Sequence, residues 1–556
     1  MTAPVPDGRP PDMPGSEPPE RDIIELVRHA CSVDPGRPAL IFEDGVSVSR
    51  ERLWAETESF AGYLSTRIRP GDRVAIMMPN RAEFMVAWLA VTACRGILVA
   101  LNPAARSHDA GHVLRDCAAR IAVVDRANAV LFAELQPDCP ELAEIIVAAD
   151  GEPGGLSAYA GSGTARSGTA AAGTPPRPGI PPRPGIPPRP VEARGDLTNI
   201  FYTSGTTGPP KGCAVGHDYW VRFADLMAKQ FGITAADRMI CCLQFFYNDP
   251  PWMLLLALNA GTTMVAMRRF SVSRYWRVVR DLEVTVLFGI ASTASLLLKA
   301  PVSDDDRRHK VRLSIQVGIP APLHEDLVER WGVPWVEAYG LTETGVIVAM
   351  PVDDAEKMIG SGSIGLPCPG ADVRLVGPDG GETADDQPGE IVVRAPGLMR
   401  GYLNKPEATA ETFRGGWLHT GDLGRRDAAG YLYFVGRIKD VIRRAGENIA
   451  AAEVETVLRS HPGVLEVAAV AVPDELLGEE VKVHILLGNG LTPDSVPPAE
   501  LIAFSADRLA RYKVPRFVEY RTEDFERTPS MRVKKEALDR SADSGRVWDR
   551  SAELSW

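Results

Sequence analysis

The chain reads as an α/β protein with a smaller α+β unit near its C-terminal end. Three observations predict this. Over the first half, short apolar runs of strand type alternate with helical segments, the pattern of a parallel sheet covered on both faces. Gly365 to Gly401 is rich in glycine and proline and carries short β-type runs of its own, which suggests a small antiparallel or β-barrel-like unit. Residues 438–540 then show a separate strand-and-helix pattern.

The elements follow in order. Residues 1–22 are expected to be a disordered tail, because most of that stretch lacks an apolar period. Leu53 to Leu64 has helical spacing. Arg73-Val74-Ala75-Ile76-Met77-Met78 reads as a buried strand, and Phe84 to Cys94, apolar nearly all round, as a buried helix. Ile97 to Ala100 and Ile121 to Val124 read as further strands. Residues 151–194 interrupt the pattern with Pro-Pro-Arg-Pro-Gly-Ile at 175–180 and again at 181–186. Such a tract samples extended conformations and builds no core, so a solvated, disordered insertion is expected. Globular texture resumes at Leu197 and runs to Arg437. Val373 to Val376 and Glu390 to Arg394 are the strands of the barrel-like unit. Residues 541–556 are expected to be a tail.

Composition bounds the function. Of 46 prolines, seven fall in residues 1–20 and ten in 151–194, so the rest is ordinary globular chain. The net charge of −12 excludes a general nucleic-acid binder, which needs a basic face for phosphates. Eight cysteines without a CxxC pair offer neither a disulfide framework nor a zinc site. The acidic, proline-rich start is unlike a signal peptide, and the apolar run ending at Cys94 is too short for a membrane span. A cytoplasmic protein is expected.

The most specific motif is Tyr202-Thr203-Ser204-Gly205-Thr206-Thr207-Gly208-Pro209-Pro210-Lys211-Gly212, directly after a strand-like segment. Glycines allow close backbone approach, hydroxyls and amides donate hydrogen bonds, and Lys211 adds charge: the chemistry suits a polyphosphate. It is not a Walker loop, where the lysine directly follows a glycine and precedes Ser or Thr.

This string resembles the phosphate loop of the adenylate-forming superfamily, which holds acyl-CoA synthetases, carrier-protein adenylation domains and firefly-type luciferases. The resemblance extends from about residue 23 to 540, the insertion excepted. It implies a large N-terminal domain (23–437) with two parallel-type αβ sheets and a small mobile C-terminal domain (438–540). It also implies roles. Thr203 to Gly208 and Lys211 hold phosphates. In Tyr339-Gly340-Leu341-Thr342-Glu343-Thr344 the tyrosine stacks on adenine, Thr342 contacts the α-phosphate and Glu343 helps hold Mg2+. Gly318 to Pro322 lines adenine and the acyl pocket. Asp422 accepts from the ribose hydroxyls, Arg437 touches the nucleotide, and Lys439 is the hinge. The loop Arg443-Arg444-Ala445-Gly446-Glu447-Asn448 lines the CoA channel, with Gly446 permitting close approach; the two arginines are either receivers of CoA phosphates or a plain surface charge pair. Tyr247, Trp252, Phe288, Gly289, Ala291, Gly318, Ile319, Gly340 and Val346 are the acyl-pocket candidates, and they suggest a bulky, largely apolar acid.

Two departures stand out. Where the family often carries histidine at the acyl gate, this chain has Tyr247. Where its C-terminal domain reads Ser-Gly-Lys, this chain reads Ser530-Met531-Arg532. That lysine bridges carboxylate and phosphate during adenylation. Arginine keeps the charge but is planar and forked, and loss of one preorganised contact costs about 10²–10³ in rate. Lys534 and Lys535 are displaced along the chain.

The resemblance implies a carboxylate and Mg-ATP as substrates of a first half-reaction, and an acyl-adenylate and CoA as substrates of a second. The favoured reading is an acyl-CoA ligase-like enzyme that mainly converts acyl-adenylate and CoA to the thioester, its adenylation impaired at Arg532 and its adenylate supplied by a separate enzyme in trans. In this it is similar to ligases of platensimycin and platencin diterpenoid biosynthesis. The alternatives are a full two-step ligase, an enzyme loading a carrier protein, and a non-catalytic nucleotide-binding homologue.

Overall fold

The computed structural model describes residues 22–149, 156, 196–203, 210–445, 447–474, 476–488, 490–527, 533–542 and 547–550. Most of the N-terminal tail and of the insertion lies outside these residues. Leu156 is an exception: expected within the insertion, it is buried in the main core.

The alternation of strands and helices produces two large sheets. One has seven strands in the order Gly401–Tyr402, Lys211–Gly216, Leu197–Thr203, Ile97–Ala100, Arg73–Met77, Ile121–Val124 and Glu144–Val147. Its last five strands are parallel; the first two pair antiparallel. The other sheet has thirteen strands. Its parallel part includes Pro38–Phe42, Thr263–Ala266, Arg238–Cys241, Val286–Ile290, Leu313–Val317 and Trp335–Leu341. The glycine-rich stretch forms antiparallel strands, as expected, but they do not close into a barrel. Ser363–Pro367, Asp372–Val376, Gly389–Arg394, Leu418–Arg426 and Leu432–Arg437 extend the large sheet as an open path.

The wholly apolar segment becomes helix Ala82–Ala93, with every residue from Ala82 to Thr92 buried. It packs against helices Ile23–Val33 and Arg50–Leu64 and against strands Arg73–Met77 and Ile97–Ala100, so no face needs to be polar. Its Trp88 packs against Trp220 of helix His217–Gln230, centroids 5.3 Å apart. Both indoles find partners on one strand: Trp88 Nε1 donates to Asn199 Oδ1 and Trp220 Nε1 to Thr198 Oγ1, each at 2.9 Å. Burying such side chains stabilises by about 1.5–3 kcal/mol each. Here it also fixes the strand Leu197–Thr203 that leads into the phosphate motif.

A third, six-stranded sheet belongs to the smaller C-terminal domain, with a core of its own that includes Ile442, Ile449, Val454, Leu458, Val481, Val483, Ile485 and Val518. The expected tail is partly corrected: Val547–Asp549 adds an antiparallel strand to Phe517–Arg521, and Arg516 pairs with Asp549. Lys299 Nζ of the large domain donates to the carbonyls of Val464 and Leu465 at 3.2 and 3.3 Å. Among the described residues no helix is long and apolar enough to cross a membrane.

Candidate active site

The phosphate motif forms the two arms of a hairpin. Strand Leu197–Thr203 ends where strand Lys211–Gly216 begins, and Thr203 faces Lys211 across the ladder. Ser204, Gly205, Thr206, Thr207 and Gly208 lie outside the described residues. The hairpin is braced from one side by Tyr202, whose hydroxyl donates to Asp116 Oδ2 at 2.7 Å. From the other side comes Tyr402. Lys211 Nζ lies 5.1 Å from its ring centroid, and its hydroxyl donates to Glu343 Oε1 at 2.8 Å. Burial pushes the Tyr402 hydroxyl far above its usual range, with the Glu343 charge adding to it, so it stays a donor. Lys211, Tyr402 and Glu343 come from three distant parts of the chain. Thr342 adjoins them, partly buried.

A second cluster forms around Asp422. Its strand Leu418–Arg426 pairs with Leu432–Arg437, in register Asp422 to Arg437. Arg437 Nε lies 3.1 Å from Asp422 Oδ1, and the Tyr339 hydroxyl donates to Asp422 Oδ2 at 2.9 Å. Tyr339 is only 7% exposed, and burial, reinforced by Asp422, holds its hydroxyl well above the usual value. Next to it, at 6.2 Å between centroids, Phe434 is 39% exposed.

Sequence reasoning missed Glu337. It lies two residues before Tyr339 on strand Trp335–Leu341, so period-two alternation puts both on one face. Its carboxylate accepts from the backbone N–H groups of both Gly318 and Ile319. Gly318 has φ +90°, a left-handed conformation that glycine adopts without strain. Burial raises the Glu337 carboxyl to about 8, against the opposing pull of the two amides.

Several acyl-pocket candidates have other duties. Trp252 and Phe288 are wholly enclosed (0% exposed) and pack edge to face, 5.1 Å between centroids, with Phe223 4.7 Å behind Trp252. They are core, because large aromatic rings find more contacts there than at a cavity surface. Gly340 is small for a backbone reason: a Cβ there would stand 2.0 Å from the Gly345 carbonyl oxygen across the hairpin. A Cβ on Gly289 would meet Gln316 Oε1 at 2.7 Å. Val346 is buried, while Ile319 and Tyr247 are partly exposed. Ala291 opens helix Ala291–Leu298.

The C-terminal loop also differs from expectation. Arg444 does not face outward: its Nε lies 2.8 Å from Glu480 Oε2, and its Nη1 donates to the Tyr512 carbonyl at 2.8 Å. Glu480 is 1% exposed, so the guanidinium neutralises a buried carboxylate and ties the loop to the domain. Arg443, Glu447 and Lys439 are exposed. Ala445 adopts φ +51°, the left-handed region that glycine favours. Gly446, the Asn448 side chain, Met531 and Arg532 lie outside the described residues. The neighbouring lysines are engaged: Lys534 Nζ lies 2.5 Å from Glu526 Oε1, and Lys535 Nζ 2.7 Å from Glu455 Oε1 and 3.6 Å from Asp440 Oδ2.

Among the described residues no group of three His, Cys, Asp or Glu side chains could hold a metal. Glu343 alone offers one hard carboxylate. That fits Mg2+, which is commonly held by one or two carboxylates plus substrate phosphates and water.

The hairpin, the Asp422 cluster and the α/β architecture together suit an enzyme site that handles a nucleotide. The chain belongs to the AMP-binding enzyme family, whose pattern matches residues 27–403, with the AMP-binding enzyme C-terminal domain at 453–532. Feruloyl-CoA synthase of Amycolatopsis sp. is 32% identical over 502 residues, covering 88% of this chain and 92% of its own length. Crotonobetaine/carnitine–CoA ligase of Salmonella heidelberg (strain SL476) is 29% identical over 543 residues, covering 93% and 99%. The solved o-succinylbenzoate CoA synthetase from Bacillus subtilis, in complex with its acyl-adenylate intermediate, aligns with a TM-score of 0.78 at 27% identity, over 92% of this chain and 97% of that one. The same synthetase has also been solved with ATP and a magnesium ion.

Proposed function

We propose that this protein is an acyl-CoA ligase that works through an acyl-adenylate and releases AMP, and that its adenylation half-reaction is impaired. In the first half-reaction a carboxylate oxygen attacks the α-phosphorus of ATP and pyrophosphate leaves. In the second, the CoA thiol sulfur attacks the acyl carbonyl carbon, the bond to AMP breaks, and the thiol proton is lost. Lys211 and the hydroxyl-rich loop before it hold phosphate charge. Glu343, oriented by the Tyr402 hydroxyl, supplies the carboxylate for Mg2+, which when bound screens the phosphate oxygens. Asp422, braced by Tyr339 and Arg437, accepts from the ribose hydroxyls.

Adenylation brings two anions together and depends on a cation bridging them. The observation that carries the impairment is the occupation of the nearby lysines. Arg532 stands where the bridging lysine is expected, and Lys534 and Lys535 are paired with Glu526 and with Glu455 and Asp440. In this arrangement both lysines are paired with carboxylates of their own domain or its edge. The chain then acts mainly on an adenylate supplied in trans, and the partly exposed Tyr247 and Ile319 favour a bulky, largely apolar acyl group.

The test separates the half-reactions. Acid-dependent exchange of pyrophosphate into ATP is expected to be weak, and to rise about 10²-fold or more in Arg532→Lys. Conversion of a synthetic acyl-adenylate and CoA to the thioester is expected to be robust in both proteins. Strong exchange by the unmodified protein would overturn the impairment; absence of thioester formation from any adenylate would overturn the ligase assignment.

A further inference from the structure

Asn80 is 1% exposed and lies just beyond strand Arg73–Met77 of the seven-stranded sheet. Its side chain reaches across to the other large sheet. Nδ2 donates to the carbonyls of Leu243 and Met267, both at 2.8 Å, and Oδ1 accepts from the Phe245 amide at 2.7 Å. Its own carbonyl accepts from Arg268 Nη1 at 3.0 Å. Leu243 and Met267 follow the adjacent parallel strands Arg238–Cys241 and Thr263–Ala266. Both therefore stand at the carboxyl edge of the sheet, where open α/β sheets bind their ligands.

The loop held in this way is the one that carries Tyr247. Between Cys241 and Asp249 the chain belongs to no strand or helix, so its course depends on side-chain anchors. Phe245 points inward, with its ring 5.9 Å from Phe84 and 6.3 Å from Phe42. Phe246 and Tyr247 lie 4.1 Å apart, and Tyr247 remains partly exposed. Two hydrogen bonds to one buried amide set the backbone at Leu243 and Phe245, a third ties that amide to Met267, and the direction of the next two aromatic rings follows from the first two. An apolar residue at 80 would leave two carbonyls and one N–H buried without this partner.

We infer that Asn80 is a positioning residue for acyl selection: it holds the Leu243–Tyr247 loop so that Tyr247 presents a defined wall to the acyl group. The inference rests on the ligase reading for its chemistry, but the hold of Asn80 on the loop stands apart from it. Asn80→Asp is the sharper variant, because it keeps the shape and the acceptor for Phe245 while removing both donors. Asn80→Ala removes all three bonds.

The experiment has two arms on the full-length protein. In the first, acetyl-, benzoyl- and naphthoyl-adenylates are each offered with CoA, and kcat/KM is compared across them. In Asn80→Asp the naphthoyl-to-acetyl ratio should change at least about ten-fold, while KM for CoA and inhibition by AMP stay within about two-fold. An equal loss for all three adenylates, or a parallel rise in KM for CoA, would mean a general structural role and overturn the inference. In the second arm, hydrogen exchange is followed without any ligand. Amides within residues 243–248 should exchange at least about ten-fold faster in both variants, while those of helix Ala82–Ala93 stay unchanged. Unaltered exchange at 243–248 overturns the inference whatever the assays give. If the unmodified protein turns over none of the three adenylates, the ligase reading fails, and the exchange arm alone decides the role of Asn80.

Discussion

The Tyr339 hydroxyl donates to one carboxylate oxygen of Asp422 at 2.9 Å, while Arg437 Nε lies 3.1 Å from the other. A buried carboxylate so held is fixed in direction, which suits it to accept from a bound ligand's hydroxyls. Hydrogen bonds to a charged group contribute about 1.5–3 kcal/mol, or roughly ten- to 150-fold in affinity. Asp422→Ala should therefore weaken AMP binding by roughly that factor. Tyr339→Phe, which leaves the Arg437 contact in place, should weaken it less, by about three- to ten-fold. Isothermal calorimetry with AMP measures both, and an unchanged affinity in Asp422→Ala would remove this carboxylate from the site.

Glu337 predicts a pH dependence of stability. Burial raises its carboxyl from the usual 4.5 to about 8, so the folded chain holds the proton more tightly than the unfolded one does. Its contribution is present in full below about 4.5 and is lost as pH rises through about 8. Glu337→Gln cannot ionise, so its urea midpoint should fall less than that of the parent between these limits. Parallel profiles for the two proteins would show that Glu337 does not titrate in this window.

Ala445 predicts a gain. A non-glycine residue in the left-handed region carries a strain of about 1–2 kcal/mol. Glycine there gives back part of the difference through the unfolded state's entropy. Ala445→Gly should stabilise the protein by about 0.5–1 kcal/mol, read as a higher urea midpoint with an unchanged slope. A lower midpoint would mean that the φ of +51° is not strained.

Much of the scaffold was legible from local pattern. The apolar run from Phe84 became helix Ala82–Ala93, and the runs at Arg73, Ile97 and Ile121 became parallel strands of one sheet. Arg444 shows where such reading stops. The family resemblance makes it a candidate for CoA phosphates, yet it pairs with Glu480, thirty-six residues away. Trp252 and Phe288 read as pocket walls because of their chemistry, but their zero exposure follows from a close edge-to-face fit. Glu337 and Asn80 carried no motif, because their partners are backbone amides and carbonyls that any residue type provides.

Motif chemistry needs particular residue types at short spacing, and it is written along the chain: a hydroxyl- and glycine-rich loop before Lys211, a carboxylate at Glu343, an arginine at 532 where lysine is usual. Partnership is not written there. That Lys211, Tyr402 and Glu343 meet, that Tyr339 and Arg437 share Asp422, and that Asn80 staples one sheet to the other were settled by the packing of the two sheets. The physical reason is range. Helical and strand periods act over a few residues, whereas hydrogen bonds and ion pairs between side chains depend on distances that only the assembled cores impose.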